Sequence, residues 1–132
     1  MRYLIKKLEK REIKDFNRDI LNESYKINYC KELNEEQLRA LTSLEGQYLV
    51  IAGAGSGKTR TIVYRTAFMI ERGIPEKNIL MLTFTKKAAL EMEERIKNLT
   101  SEKEIKVSVS TFHSLCAELL IKYKNIFGIE KF

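Results

Sequence analysis

A glycine-rich stretch that ends in a lysine and a threonine has the residue types and spacing needed to bind phosphate. It occupies residues 52–59 and places three glycines at alternate positions. Glycines permit a tight loop with inward-pointing backbone N–H groups, and Lys58 adds a charge that reaches outer phosphates. The Thr59 hydroxyl is a suitable Mg²⁺ ligand. Ala52 stands where the pattern GxxxxGK(S/T) has its first glycine. A glycine-rich turn without a ligand is the alternative, but the flanking sequence favours a nucleotide-binding loop.

The elements on either side of this loop are those that position a phosphate site. An apolar run predicts a strand over residues 47–51, and an apolar periodicity predicts a helix over about residues 58–72. Gly73 is then the natural residue to end the helix. A helix that begins directly after the loop directs the positive end of its dipole at a bound anion.

Two further strand–helix pairs follow along the chain. Residues 79–84 are continuously apolar, which is typical of a strand buried on both faces. Alternating apolar and polar residues predict another strand. The candidate helix N-caps are Thr85 and either Ser110 or Thr111. The remaining predicted elements are a helix over about 86–99, a strand over 105–109 and a helix over about 112–124. This order predicts an α/β fold with a parallel sheet.

Hydroxyls, cations and aromatic rings follow the second and third predicted strands, in residues 83–87 and 110–113. Because ligands of parallel sheets gather at the carboxyl ends of the strands, we expect both stretches to lie beside the phosphate loop. Hydroxyls and lysines suit nucleic-acid phosphates, and an exposed ring suits base stacking.

The residues before the glycine-rich loop predict two helical segments. Residues 2–21 predict an N-terminal helix, either a basic arm for nucleic acid or, as we favour, an amphipathic helix that packs on protein. Residues 22–33 predict a loop or a short helix. Asn34 and Gln37 have capping-box spacing, so they predict the start of a helix that closes at residues 43–46.

Composition sets broad limits on the protein. Its 132 residues are one domain's worth, and 24 Lys and Arg against 18 Asp and Glu give a net charge of +6. That modest excess suits a polyanionic partner as well as an ordinary basic surface. The two cysteines have no CxxC spacing, which argues against a metal site or disulfide framework and fits a reducing cytoplasm. Neither a signal peptide nor a membrane-spanning run is expected.

Four stretches, taken together, resemble successive motifs of the UvrD/Rep/PcrA-like superfamily 1 DNA helicases. They are residues 33–37, 52–60, 82–92 and 110–114, and the resemblance extends over about residues 33–130. The family commonly has alanine at the first loop position. The resemblance implies an incomplete RecA-like P-loop NTPase fold, a three-layer α/β/α arrangement with a parallel sheet. It assigns residues 33–132 to part of the ATP-binding 1A domain. The helix predicted before them makes residues 1–32 an N-terminal helical extension, which the resemblance does not cover.

The resemblance also implies roles in nucleotide binding, with ATP and Mg²⁺ as cofactors. Gln37 is similar to the glutamine that reads the adenine edge, and Arg60 matches an arginine near the base. Lys58 would hold the β- and γ-phosphates, and Thr59 would hold Mg²⁺; these two are the candidate catalytic residues. The implied nucleotide-binding set is Gln37, Ala52, Gly53, Ala54, Gly55, Ser56, Gly57, Lys58, Thr59 and Arg60.

For DNA, the resemblance implies contact between single strands and the strand-end motifs. Phe84 corresponds to an aromatic residue that contacts single-stranded DNA, and His113, otherwise a capping or core residue, lies in a motif that touches DNA. Lys86 stands where the family usually has asparagine, which favours a phosphate contact over a specific hydrogen bond. The implied set is Thr83, Phe84, Thr85, Lys86, Thr111, Phe112 and His113.

The function implied is that of the ATP-binding front of an ATP-dependent DNA helicase of 3′-to-5′ polarity, with repair, recombination and replication left open as its pathway. Its partners would be single-stranded DNA and the rest of the helicase, including a second RecA-like domain. The family's acidic Mg²⁺-binding motif and arginine finger are expected downstream of residue 132, so we expect weak ATP binding and negligible turnover. The alternatives are a truncated stand-alone nucleotide- or DNA-binding module and, least favoured, a small P-loop kinase.

Overall fold

The computed structural model describes residues 18–22 and 24–128 as short helical segments followed by an α/β unit. The helices are α1 (Tyr29–Glu32), α2 (Glu35–Thr42), α3 (Lys58–Glu71), α4 (Lys86–Thr100) and α5 (Phe112–Lys122), and the strands are β1 (Leu80–Thr83) and β2 (Ser108–Thr111). Two 3-10 helices cover Arg18–Asn22 and Glu76–Asn78. No helix in the described residues is long and apolar enough to cross a membrane.

The helix starts follow the local capping signals. At the start of α2, the Gln37 backbone N–H donates to Asn34 Oδ1 at 2.9 Å, and the Asn34 N–H donates to Gln37 Oε1 at 3.1 Å. This reciprocal pair confirms the predicted capping box. The predicted Thr85 cap of α4 is confirmed in the same way, because its hydroxyl accepts from the Ala88 N–H at 3.1 Å. At its other end α3 stops just before Gly73, which has a φ of +83°.

The two strands pair in parallel, from Leu80 opposite Ser108 to Thr83 opposite Thr111. Helix α4 connects them, so this part of the chain is the predicted α/β unit with a small parallel sheet. One core forms where α3 and α4 pack against the sheet, and it contains the buried residues Val63, Ile79, Met81, Ile96 and Val107.

Burial of the β1 strand on both faces was expected and is wrong. Met81 and Thr83 are buried, but Leu80 is 49% exposed. Successive side chains of a strand point to opposite faces, and α3 and α4 cover the face that carries Met81.

The expected strand over residues 47–51 is also wrong. This segment has no strand assignment, and Leu49 and Ile51 are each 84% exposed. A strand is defined by hydrogen bonds to a neighbour, and the sheet in the described residues consists of β1 and β2 alone. The strand expected over 105–109 starts at Ser108 instead, although Val107 just before it is buried.

The second core joins the segment before α2 to the outer ends of α2 and α3. Tyr29, Leu41 and Phe68 are fully or almost fully buried, and the Tyr29 and Phe68 ring centroids lie 5.2 Å apart. The short helix α1 confirms the loop or short helix expected over residues 22–33. Most of the helix expected over residues 2–21 lies outside the described residues, and its described end is a 3-10 helix that contributes Ile20 and Leu21 to this core.

Candidate functional site

The glycine-rich loop is an exposed turn shaped by its glycines. Gly55 and Gly57 have φ values of +74° and +80°, a region that favours glycine over residues with a Cβ. Within the turn, the Ser56 N–H and hydroxyl both donate to the Gly53 carbonyl, at 3.3 and 2.7 Å. Hydrogen bonds within the loop therefore contribute to its shape.

Helix α3 begins directly at the end of this loop without a side-chain cap. Its N-cap residue is Gly57, so the first backbone N–H groups of the 14-residue helix have no capping side chain. Uncapped N–H groups and the helix dipole favour a bound anion at this point. The Lys58 ammonium donates to the Ala52 carbonyl at 3.1 Å, which places its charge across the loop. These groups form an arrangement suited to a phosphate chain.

Gln37 touches the loop from the side of α2. Its Nε2 donates to the Ser56 carbonyl at 3.4 Å, while its Oε1 serves the capping box. A Cβ built on Gly57 would lie only 2.7 Å from Gln37 Nε2. The structure thus brings Gln37 against the loop, and separate atoms of the side chain make the capping contact and the loop contact.

Arg60 lies in the first turn of α3, beside the loop. Its Nη2 donates to the Glu32 carbonyl at 2.9 Å and to Glu32 Oε2 at 2.7 Å, and its guanidinium carbon lies 4.9 Å from the centre of the Tyr64 ring. The Tyr64 hydroxyl donates to the same Glu32 oxygen at 3.1 Å. Partial burial, then the Glu32 hydrogen bond, raise the pKa of Tyr64. Sequence reasoning missed Glu32 and Tyr64; the Arg60–Tyr64 spacing of four residues was the available signal.

A second group of expected residues lies at the carboxyl edge of the two strands. Parallel pairing places Thr83 opposite Thr111, and Phe84 and Phe112 follow them with ring centroids 5.8 Å apart. Phe84 is 90% exposed and Phe112 is 47% exposed. Beside these rings, Lys86 and His113 are exposed. The edge therefore presents two adjacent rings and a cation to solvent.

The threonine hydroxyls at this edge are engaged inside the protein. Thr83 is buried, and its hydroxyl donates to the Thr85 carbonyl at 2.9 Å. Thr111 is also buried, and its hydroxyl accepts from the Ser114 N–H at 3.1 Å as the cap of α5. These contacts give the threonines a role in shaping the edge, and the DNA contact expected of them stays a prediction.

Comparison with known proteins connects this geometry to a family. A family model described as the UvrD/REP helicase N-terminal domain matches residues 33–132. The chain belongs to this family. It is similar to the ATP-dependent DNA helicase PcrA of Staphylococcus epidermidis, with 43% identity over 102 residues, 76% of this chain and 14% of the relative. It is likewise similar to PcrA of Staphylococcus aureus, with 42% identity over 100 residues, 75% of this chain and 14% of the relative.

The family implies a bound nucleotide and Mg²⁺, and the loop residues fit the nucleotide part. The open turn, the uncapped start of α3 and the Lys58 ammonium are complementary to phosphate oxygens. For the metal, Thr59 is positioned in the first turn of α3, and no group of three His, Cys, Asp or Glu residues that could hold a metal occurs in the described part of the chain. Mg²⁺ bound at Thr59 would therefore take further ligands from phosphate and water, as Mg²⁺ commonly does.

Proposed function

We propose that residues 33–132 are the front part of a RecA-like, P-loop ATP-binding domain and that residues 1–32 are a helical extension of it. The observation that carries this proposal is the uncapped start of α3 at Gly57, with the Lys58 ammonium held across the adjoining loop. The family match over the same residues supports it. The three-layer arrangement of the sheet belongs to this proposal.

In this function the loop and the residues beside it contribute separate interactions with Mg²⁺-ATP. The N–H groups at the start of α3 would bind phosphate oxygens, and the Lys58 ammonium, which donates to the Ala52 carbonyl, would pair with the β- and γ-phosphates. Thr59 contributes its hydroxyl to Mg²⁺, while Gln37 and Arg60 contact the base. In the whole protein, hydrolysis of the bound ATP would supply the free energy for movement along DNA.

The strand-end edge is the proposed contact surface for single-stranded DNA. Phe84 and Phe112 offer adjacent exposed faces for base stacking, and Lys86 and His113 lie beside them for phosphate contacts. The proposed set of DNA-contacting residues also includes Thr83, Thr85 and Thr111, which make hydrogen bonds within the protein as well. The chain spans 14% of the length of the PcrA relatives. We propose that the whole protein is an ATP-dependent 3′-to-5′ DNA helicase, and that its remaining domains are partners of this one.

Nucleotide binding is tested by titrating the chain with a fluorescent ATP analogue in the presence of Mg²⁺ and then displacing it with ATP. We expect Lys58→Ala to abolish or strongly weaken binding because the charge beside the phosphates is lost. Lys103→Ala, an exposed lysine in the loop before β2, is the matched control and should leave binding unchanged. Equal affinities for wild type and Lys58→Ala would contradict a phosphate role for the loop.

DNA binding is tested by anisotropy of a labelled single-stranded oligonucleotide. If Phe84 stacks on a base, Phe84→Ala should weaken binding by about 1–3 kcal/mol, and the affinity should fall steeply with salt. Leu90→Ala is the control, since Leu90 is 68% exposed in the second turn of α4. If Phe84→Ala and Leu90→Ala bind alike, the ring does not stack on DNA.

A further inference from the structure

The side chain of Arg60 is held in one orientation by contacts from two elements. A single nitrogen, Nη2, bonds both the backbone carbonyl and the carboxylate of Glu32, and the Tyr64 ring lies beside the guanidinium. The Tyr64 hydroxyl closes the arrangement by donating to the same carboxylate. Glu32 is therefore bonded to both side chains that approach it from α3.

The Arg60 side chain remains accessible to a ligand. The Arg60 side chain is 46% exposed, although the Tyr64 ring lies against it. Both side chains line an open cleft of about 400 Å³ between α3 and α4. A planar guanidinium with one free face stacks readily on aromatic rings, including nucleobases.

Arg60 lies in the first turn of α3, directly after the phosphate loop. A Cβ built on Gly57 would lie 3.9 Å from Arg60 Cβ and 2.7 Å from Gln37 Nε2. Arg60 and Gln37 thus approach the same glycine at the start of α3. A nucleotide whose phosphates lie on the loop would extend its base within reach of both side chains.

Glu32 is itself firmly placed by α1. In that short helix Tyr29 is buried, and its hydroxyl donates to Glu71 Oε2 at 2.5 Å near the far end of α3. The Lys26 N–H donates to the other oxygen of Glu71 at 2.8 Å. The segment that carries Glu32 is therefore bonded near both ends of α3, and it lies directly before the residues that the family model matches.

We propose that Glu32 is a positioning residue for base binding: its carboxylate, with the Tyr64 ring, holds the Arg60 guanidinium flat beside the loop so that a nucleobase stacks on it. The inference rests on the proposed nucleotide site and adds to it the chemistry that orients Arg60. It predicts that Glu32 affects the base-dependent part of the affinity and leaves the phosphate-dependent part unchanged.

The experiment compares two ligands, ATP and inorganic triphosphate, each with Mg²⁺, by calorimetric titration of the full chain. Glu32→Ala should bind ATP about two- to fivefold more weakly, the range of one exposed ion pair, and should bind triphosphate as the wild type does. Glu32→Asp, which keeps the charge, should recover part of the ATP affinity. Glu93→Ala, which breaks the partly buried Glu93–Lys97 pair on α4, is the matched control and should change neither affinity.

A double-mutant cycle separates positioning from a general structural effect. If Glu32 acts through Arg60, then Glu32→Ala should add nothing to Arg60→Ala in ATP binding. Additive losses, equal losses for both ligands, or tighter ATP binding by Glu32→Ala would overturn the proposal. If triphosphate binds in a Lys58-dependent manner and Glu32→Ala changes neither affinity, the role of Glu32 is refuted and the proposed phosphate site is supported. If the wild type binds neither ligand, the role of Glu32 and the proposed phosphate site are both refuted.

Discussion

Replacing Gly57 by alanine perturbs the loop at the residue where its geometry is most constrained. The φ of Gly57 is +80°, and a Cβ there would lie 2.7 Å from Gln37 Nε2. An L-residue in this backbone region costs about 1–2 kcal/mol. The Gln37 amide must also move and lose its 3.4 Å contact with the Ser56 carbonyl, which adds about 0.5–1 kcal/mol. We therefore expect Gly57→Ala to lower the free energy of unfolding by about 2 kcal/mol.

Two neighbouring glycines provide controls that separate these contributions. Gly55 has a φ of +74° but no atom within 4 Å of a built Cβ, so Gly55→Ala should show the backbone cost alone. Gly53 has neither a positive φ nor a close atom, so Gly53→Ala should be neutral or stabilise the protein by up to about 1 kcal/mol. In a Gln37→Ala background, the effect of Gly57→Ala should shrink to that of Gly55→Ala.

Urea unfolding followed by circular dichroism measures all of these variants on one scale. Equal effects of Gly57→Ala and Gly53→Ala would refute the loop geometry on which the phosphate site rests. An effect of Gly57→Ala that is unchanged in the Gln37→Ala background would refute the contact between α2 and the loop.

Two further predictions concern the aromatic core. Phe68→Ala should cost about 3–5 kcal/mol in urea unfolding because Phe68 is fully buried, while Phe68→Leu should cost less. Burial, with the hydrogen bond to Glu71 as the second cause, raises the pKa of Tyr29. In the unfolded chain the Tyr29 hydroxyl ionises near pH 10. The contribution of the neutral, buried Tyr29 to the free energy of unfolding is therefore complete below about pH 10, and it is lost as the pH rises further. Thermal unfolding of Tyr29→Phe should therefore lose less stability between about pH 9 and pH 11 than the wild type loses.

Two results would contradict the predictions for Phe68 and Tyr29. A Phe68→Ala variant as stable as the wild type would show that the core formed by α1, α2 and α3 contributes little to the folded state. Parallel alkaline profiles for the wild type and Tyr29→Phe would show that Tyr29 ionises alike in the folded and unfolded chains.

The elements predicted correctly are those whose signals lie within the element itself. The capping box of Asn34 and Gln37, the Thr85 cap and the left-handed Gly73 are local features, and all three are present in the structure. The strand expected over residues 47–51 depended instead on pairing with a neighbour. An apolar run indicates that a segment can form a strand, but it does not identify the neighbouring strand to which it would hydrogen-bond. This prediction was therefore wrong.

The same distinction applies to the candidate site. The loop from Ala52 to Thr59 could be proposed from its motif because its chemistry depends on contiguous residues. The contact between Glu32 and Arg60 joins residues 28 positions apart and depends on how α1 packs against α3. The burial of Thr83 and Thr111 follows from strand pairing, so residue type and position alone did not show that their hydroxyls are engaged within the protein.

The most direct measurement of the central claim is a titration of ¹⁵N-labelled protein with Mg²⁺-ATP, followed through the backbone amide shifts. If the phosphates bind at the uncapped start of α3, the largest shifts should occur at Gly55, Gly57 and Lys58. The amides of Glu102 and Lys103, in the exposed loop before β2, should move much less. Saturable shifts centred on Glu102 and Lys103, or no shifts at the loop at millimolar ATP, would contradict the account.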